Sequence, residues 1–189
     1  MPDLSFALFE TAIGCCGIVW SARGVAGGQL PEASEAATRV RVVRRYPSAA
    51  EALPSPEISQ AIDGITALLR GEARDLTGVT IDNAGVPEFN ARVYVVARTI
   101  PPGATMTYGE IAERLGDKAL AREVGTALGQ NPCPIIMPCH RVLAAGGKTG
   151  GFSAPGGVVT KLRLLTIEGA QPGGPTLFDH LPLVAPHRR

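Results

Sequence analysis

Apolar positions open the chain in short blocks cut by glycine: Leu4 to Glu10, Gly14 to Ala22 and Gly24 to Leu30, rich in Val, Ile, Phe and Trp. Blocks of this length and composition predict strands, and their close spacing predicts a meander. Residues 39–45, Arg-Val-Arg-Val-Val-Arg-Arg, partly alternate, which predicts an edge strand with a basic outer face in preference to a nucleic-acid patch. Pro47 to Pro54 reads as a loop or short turn. Ile58, Ile62, Ile65, Leu68 and Leu69 then recur at helical spacing up to Gly71, with Pro56 suited to a first helical turn. Thr77 to Ile81 is a further strand candidate, so the first region reads as α+β with a small sheet.

Asp82 to Pro87, with Asn83 and Gly85, is a turn or linker, and helical patterns follow it. Phe89 to Ile100 predicts a helix stopped by Pro101-Pro102-Gly103. Thr107 and Glu110 have the spacing of a capping box, opening a helix that turns Ile111 and Leu115 inward and ends at Gly116. A second helix is expected from Lys118 to Gln130, with Leu120, Val124 and Leu128 as its buried stripe; two helices so closely joined resemble a helix-turn-helix unit. Ala121, Gly125 and Gly129 form another stripe, whose small size admits a close neighbour, either a packed helix or strand or a nucleic-acid groove. Arg122 stands beside it, and alone reads as a surface charge. Asn131-Pro132 breaks the helix. Thr160 to Glu168, with Leu162, Leu165 and Ile167, predicts a last helix ended by Gly169. Glu168 at that end opposes the helix dipole, which implies that its carboxylate has another partner. Residues 171–189 read as a poorly ordered tail.

At 189 residues and 45% hydrophobic the chain has material for a substantial core, as one large domain or two small ones. No apolar run approaches the ~20 residues of a bilayer span and no basic leader opens the chain, which predicts a cytoplasmic protein. The net charge of +1 conceals an asymmetry. Residues 1–87 hold seven Lys/Arg against ten Asp/Glu, a balance of −3, and residues 88–170 hold nine against six, a balance of +3. The sign suits a second half that meets phosphates while the first is scaffold. Cys15, Cys16, Cys133 and Cys139 form neither a CxxC pair nor a zinc-type Cys/His spacing, so neither a disulfide framework nor a metal is expected, and Cys15 and Cys16 read as buried strand residues.

The candidate chemistry lies in Pro138-Cys139-His140-Arg141-Val142. A thiol reacts as its thiolate, which is only a few per cent populated near neutral pH at an unperturbed pKa of about 8.5, so a reactive cysteine needs help. His140 is the candidate helper, although neighbours in an extended chain point apart and meet only across a sharp turn or through a water. Most cysteines are simply buried. Here Pro132, Pro134 and Pro138 flank the apolar Ile135-Ile136-Met137, and Gly146-Gly147 and Gly150-Gly151 follow, which presents the thiol on a stiff segment beside a loop able to press its backbone on a ligand.

With Ile100-Pro101-Pro102-Gly103, Thr107-Tyr108-Gly109, Ala121-Arg122-Glu123-Val124-Gly125, Asn131-Pro132 and Glu168-Gly169 in the same order, the chain resembles the O6-alkylguanine-DNA alkyltransferases over residues 86–170, with looser likeness in the strand meander. The resemblance implies a ribonuclease-H-like α/β scaffold domain over residues 1–85 and a winged helix-turn-helix-like domain over residues 86–170. It further implies a single-turnover repair protein that moves the alkyl group of O6-alkylguanine, and of O4-alkylthymine, from double-stranded DNA to Cys139. His140 would act as base through a water and Glu168 would orient it. Tyr108 would protonate N3 of the leaving guanine, and Asn131 would tie the helix pair to the active segment. Arg122 would fill the stack vacated by a flipped base, while Ala121, Gly125 and Thr126 meet the minor groove. Val142, Phe152 and Ser153 would line the substrate, the carbonyls of Cys139 and Val142 and the amide of Ser153 reading the guanine edge. No cofactor, no membrane and a monomer are implied.

Phe152 stands where relatives commonly have tyrosine, which removes a hydroxyl near the substrate oxygen, and Glu123 and Gly129 stand where some relatives have small and basic residues. Two other readings compete. A damage-flagging module would bind alkylguanine without a nucleophile, which Cys139 argues against. A cysteine hydrolase would leave the helix pair without a purpose.

Overall fold

The computed structural model describes residues 4–170. The three glycine-cut blocks are strands β1 (Leu4–Thr11), β2 (Gly14–Ser21) and β3 (Gly24–Gln29), paired antiparallel in sequence order. Gly14 and Gly24 open their strands at φ of 124° and 130°, a region open chiefly to glycine, and so allow the two-residue turns before them. A fourth strand, β4 (Ala49–Glu51), lies parallel to β1 and gives the order β3-β2-β1-β4. It falls where the sequence suggests only a loop, because Ala-Ala-Glu has little strand propensity of its own and pairs by completing the open edge of β1.

Residues 39–45 are not a strand. Glu35–Arg45 form helix α1, capped by Ser34, whose hydroxyl accepts from the Ala37 amide at 3.2 Å, with Glu35 in the first turn and Arg44 and Arg45 in the last. These end effects all favour a helix and outweigh a short alternation. Thr38 and Val42, four residues apart, are its buried side chains, and the alternating Val40 is 66% exposed. Helix α2 (Pro56–Leu69) follows the expected pattern, with Ser55 as cap and Ile58, Ile65, Leu68 and Leu69 buried. Thr77 to Ile81 does not form a strand. Ile81 makes an isolated bridge to Val25, and the carbonyls of Leu76, Thr77 and Val79 accept from the Arg98 guanidinium at 3.0, 2.6 and 2.8 Å. Acceptors held by a guanidinium are withdrawn from a strand ladder.

The second region comprises α3 (Glu88–Arg98), β5 (Met106–Thr107), α4 (Tyr108–Arg114), a 3-10 turn at Lys118–Leu120, α5 (Ala121–Gly129), β6 (Val142–Leu143) and α6 (Gly157–Ile167). Helix α6 begins at Gly157, three residues before Thr160, and follows a left-handed Gly156 with φ of 78°. One buried cluster runs from Ala7, Ile18 and Trp20 through Val93 and Ile111 to Val124, Met137 and Leu164, so the sheet and the helices share a core. Tyr94 of α3 reinforces it by donating to the Ala127 carbonyl of α5 at 2.8 Å. Among the described residues no helix is long and apolar enough to cross a membrane. The expected tail lies outside the described residues. All four cysteines are free, and Cys15 and Cys16 are buried in β2 as expected. The fold also brings ligand atoms of Glu10, Cys15 and Glu35 within 4.8 Å of one another, with both carboxylates exposed, a proximity that their sequence spacing does not suggest.

Candidate active site

Two local devices bring distant residues together. The capping box forms as its spacing predicts: the Glu110 amide donates to Thr107 Oγ1 at 3.1 Å and the Thr107 amide donates to Glu110 Oε2 at 2.6 Å. It starts α4 at Tyr108. Strand β5 immediately before it pairs parallel with β6, Met106 opposite Val142 and Thr107 opposite Leu143. Tyr108 is thereby carried beside the segment that ends in Val142.

That segment is clamped by Asn131. Its Nδ2 donates to the Met137 carbonyl at 2.7 Å and to Cys139 Sγ at 3.1 Å, and its Oδ1 accepts from the Cys133 amide at 2.9 Å. Between those points Ile135 is buried with a φ of 74°, the one non-glycine residue at positive φ among those described. A β-branched residue held there costs about 1–3 kcal/mol and persists only where its surroundings over-determine it. Pro138 then leads into a 3-10 turn over Cys139–Arg141 that buries His140 and Arg141 and leaves Cys139 partly exposed, unlike the other three cysteines. This is the sharp turn that adjacent Cys and His require.

Glu168, at the end of α6, has the partners its position demanded. His140 Nε2 lies 3.0 Å from Oε1, and Arg141 grips the same carboxylate with Nε to Oε2 and Nη2 to Oε1, both at 2.8 Å. Arg141 Nη1 also donates to the Ile100 carbonyl at 2.6 Å. Burial alone would raise the Glu168 carboxyl, but the hydrogen bonds from His140 and Arg141, with the Arg141 charge, hold it at about 2. An ionised carboxylate only accepts, so His140 carries its proton on Nε2 and turns the lone pair of Nδ1 elsewhere. Nδ1 is buried with no protein hydrogen-bond partner. Burial pushes His140 below its ordinary value, against the pull of Glu168, and pushes the Cys139 thiol up, against the Asn131 donor and the Lys161 charge. The resting pair is therefore a neutral thiol and a neutral imidazole, with an anion already in position to stabilise an imidazolium.

Lys161 is fully buried on α6, donating from Nζ to the Val142 carbonyl at 2.5 Å and lying 5.9 Å from the centre of the Tyr108 ring. Burial lowers its pKa to about 8, while the nearby Cys139 opposes that shift. It braces Val142, Tyr108 and the glycine loop, whose Gly151 carbonyl lies 3.4 Å from Nζ. Sequence reasoning missed Lys161 because a lysine in a helical pattern reads as surface, and it gave Arg141 no role because only the fold reveals the partner. At Gly150 an added Cβ would lie 3.0 Å from the Tyr108 ring, so the loop packs on that ring only with glycine there.

Tyr108, Ala121, Arg122, Gly125, Cys139, Phe152 and Ser153 line one cavity of about 520 Å³. The small face of α5 is thus left open rather than covered by another element. Ser153 Oγ donates to the Gly129 carbonyl at 3.0 Å and ties the loop to α5. Thr126 is exposed, its hydroxyl donating to the Arg122 carbonyl of its own helix at 3.2 Å, and it does not line the cavity. Asn131, His140, Val142 and Glu168 stand behind the cavity wall.

Residues 88–170 match the family described as 6-O-methylguanine DNA methyltransferase, DNA binding domain. A methylated-DNA–protein-cysteine methyltransferase of Mycobacterium bovis is 42% identical over 135 residues, which are 70% of this chain and 79% of that protein. The crystal structure of Mycobacterium tuberculosis O6-methylguanine methyltransferase has a TM-score of 0.71 at 31% identity, covering 88% of this chain and 93% of that one. That of Mycobacterium tuberculosis OGT in complex with DNA has a TM-score of 0.69 at 32% identity, covering 87% and 92%. The mixed α+β fold is similar to theirs.

Proposed function

The chain belongs to the methylated-DNA–protein-cysteine methyltransferase family, and from that premise we propose how its residues divide the work. It repairs DNA by moving the alkyl group of O6-alkylguanine onto a cysteine of its own, so each molecule reacts once. Cys139 is that cysteine. The observation that carries this assignment is its accessibility: the other three thiols are buried, whereas Cys139 lines the same cavity as Tyr108 and as Arg122 of α5.

Sγ attacks the alkyl carbon, the bond from that carbon to O6 breaks, and its electron pair stays with the guanine. His140 Nδ1 takes the thiol proton by way of a water, and Glu168 stabilises the resulting imidazolium. Tyr108 supplies a proton to N3 of the leaving base. Its phenol is kept protonated by burial. Asn131 holds sulfur and helix in register through its bonds to Sγ and the Met137 carbonyl. Phe152 and the amide of Ser153 form the walls that read the base, with Val142 behind them and its carbonyl held by Lys161, and O4-alkylthymine is accepted by the same route.

An alkyl group on a stacked guanine is out of reach of a recessed thiol, so the nucleotide must leave the stack at a cost of a few kcal/mol. Arg122, exposed at the start of α5, fills the gap, and the open face of Ala121, Gly125 and Thr126 lies in the minor groove. On this reading residues 1–85 are a ribonuclease-H-like scaffold and residues 86–170 a winged helix-turn-helix-like unit acting as a monomer on duplex DNA, in the cytoplasm where the chromosome lies. Incubation with duplex DNA carrying radiolabelled O6-methylguanine tests it. One label per protein, on Cys139, is expected; binding without transfer would instead assign a flagging role, and repeated turnover would refute self-alkylation.

A further inference from the structure

We infer that the departing alkyl group projects into a second, arginine-rimmed cavity, and that Arg41 and Arg45 of α1 favour alkyl groups carrying a negative charge. The inference rests on Cys139 as the acceptor. A cavity of about 210 Å³ adjoins the one already described and shares Leu128, Gly129, Cys139, Phe152 and Ser153 with it, but not Tyr108, Arg122 or Gly125. Its other walls are Asn131, Pro134, Ala154 and Pro155 from the active region and Gly28, Gln29, Leu30, Arg41 and Arg45 from the sheet region. The two regions are tied at this point, the Gly28 amide donating to the Pro132 carbonyl at 2.8 Å.

Displacement at carbon requires sulfur, carbon and leaving oxygen in line. With the base in the cavity beside Tyr108, whatever else the carbon carries must point off that line. The second cavity also meets Cys139 but lies away from Tyr108 and Arg122, which leaves it open to such a substituent. Pro134, Phe152 and Pro155 give it an apolar wall that suits a methyl group, and Arg41 and Arg45 of α1 also line it. Arg45 donates one N–H to the Gly28 carbonyl at 3.3 Å and lies 5.4 Å from the centre of the Tyr46 ring, which orients it. A guanidinium has further N–H donors beyond the one used there. Arg41 lies 3.9 Å from Glu32 with its side chain 54% exposed, so one carboxylate only partly offsets the pair. Guanidinium donors suit a carboxylate above any neutral group.

For an O6-carboxymethyl lesion, the thiol proton passes to His140, sulfur binds the methylene carbon, and the C–O6 bond breaks. The base keeps the electron pair and regains a proton, leaving S-carboxymethylcysteine at 139. Single-turnover transfer from duplexes bearing O6-carboxymethyl-, O6-carbamoylmethyl- or O6-methylguanine tests the selection. The intact protein should prefer carboxymethyl to the neutral carbamoyl isostere. Arg41→Gln/Arg45→Gln should lose about tenfold on carboxymethyl alone, as partly exposed charge-assisted bonds allow, with Arg41→Lys/Arg45→Lys losing less. Equal rates on the two isosteres in the intact protein would overturn the inference. So would an equal loss on all three lesions with weaker duplex binding, which would assign the arginines to the DNA backbone. Absence of methyl transfer by the intact protein would instead remove Cys139 as acceptor.

Discussion

The sheet region and the helical region differ in whether they bury basic side chains. None of the seven arginines of residues 1–87 is buried, and several meet carboxylates at the surface, Arg39 with Glu35 and Glu51, Arg70 and Arg74 with Glu72. In the helical region His140, Arg141 and Lys161 are buried around Cys139, and each has a matched partner. A charge taken from water costs several kcal/mol unless paired and hydrogen-bonded. A buried cluster of basic side chains therefore marks the place where orientation matters more than net stability.

Four substitutions break or sharpen that contrast, in falling order of effect. Cys139→Ala should abolish transfer to the protein, measured by intact mass after exposure to methylated DNA, while duplex binding persists; a parallel loss of binding would contradict its assignment as nucleophile. Glu168→Gln leaves Arg141 buried without its counter-charge. It should destabilise the fold by about 3 kcal/mol and slow transfer by about a hundredfold, as removal of an acid–base partner does. Because Glu168 is held at about 2, below its ordinary 4.5, its contribution is complete above 4.5 and disappears as pH falls toward 2. The stability gap between wild type and variant in urea unfolding should close over that window, and a gap independent of pH would count against the ion pair.

Arg122→Ala should slow repair in duplex DNA by about tenfold, a part of the unstacking cost, yet leave reaction with the free base nearly unchanged; equal losses would remove its role in flipping. Arg39→Ala, on the surface of the sheet region, should change neither transfer rate nor denaturation midpoint, as expected of an exposed pair. A clear loss there would erase the contrast between the regions.

The legible parts were those written in local chemistry. The Thr107–Glu110 box, the glycine-cut strands and the breakers around Asn131-Pro132 each act within a few residues, and each forms as read. Glu168 was legible through a conflict, an acid at the wrong end of a helix, and its three hydrogen bonds resolve it. Residues 39–45 were misread because Arg-Val-Arg-Val alternates, whereas the caps that make α1 a helix lie outside that window at Ser34 and Tyr46. Strand β4 and the bridge at Ile81 depend on partners 40 or more residues away, and no local pattern encodes them. Lys161 and Ile135 escaped for the same reason: a buried ammonium and a left-handed isoleucine acquire meaning only from what surrounds them.

Helix α6 supplies both Lys161 and Glu168, whereas the thiol and its base come from a turn some twenty to thirty residues upstream. During synthesis the ribosome therefore delivers the nucleophile well before the helix that equips it. A nascent chain halted between the two has the sulfur and the imidazole without the anion that stabilises proton transfer, so a protein able to react only once is not armed until almost all of its working length has been made.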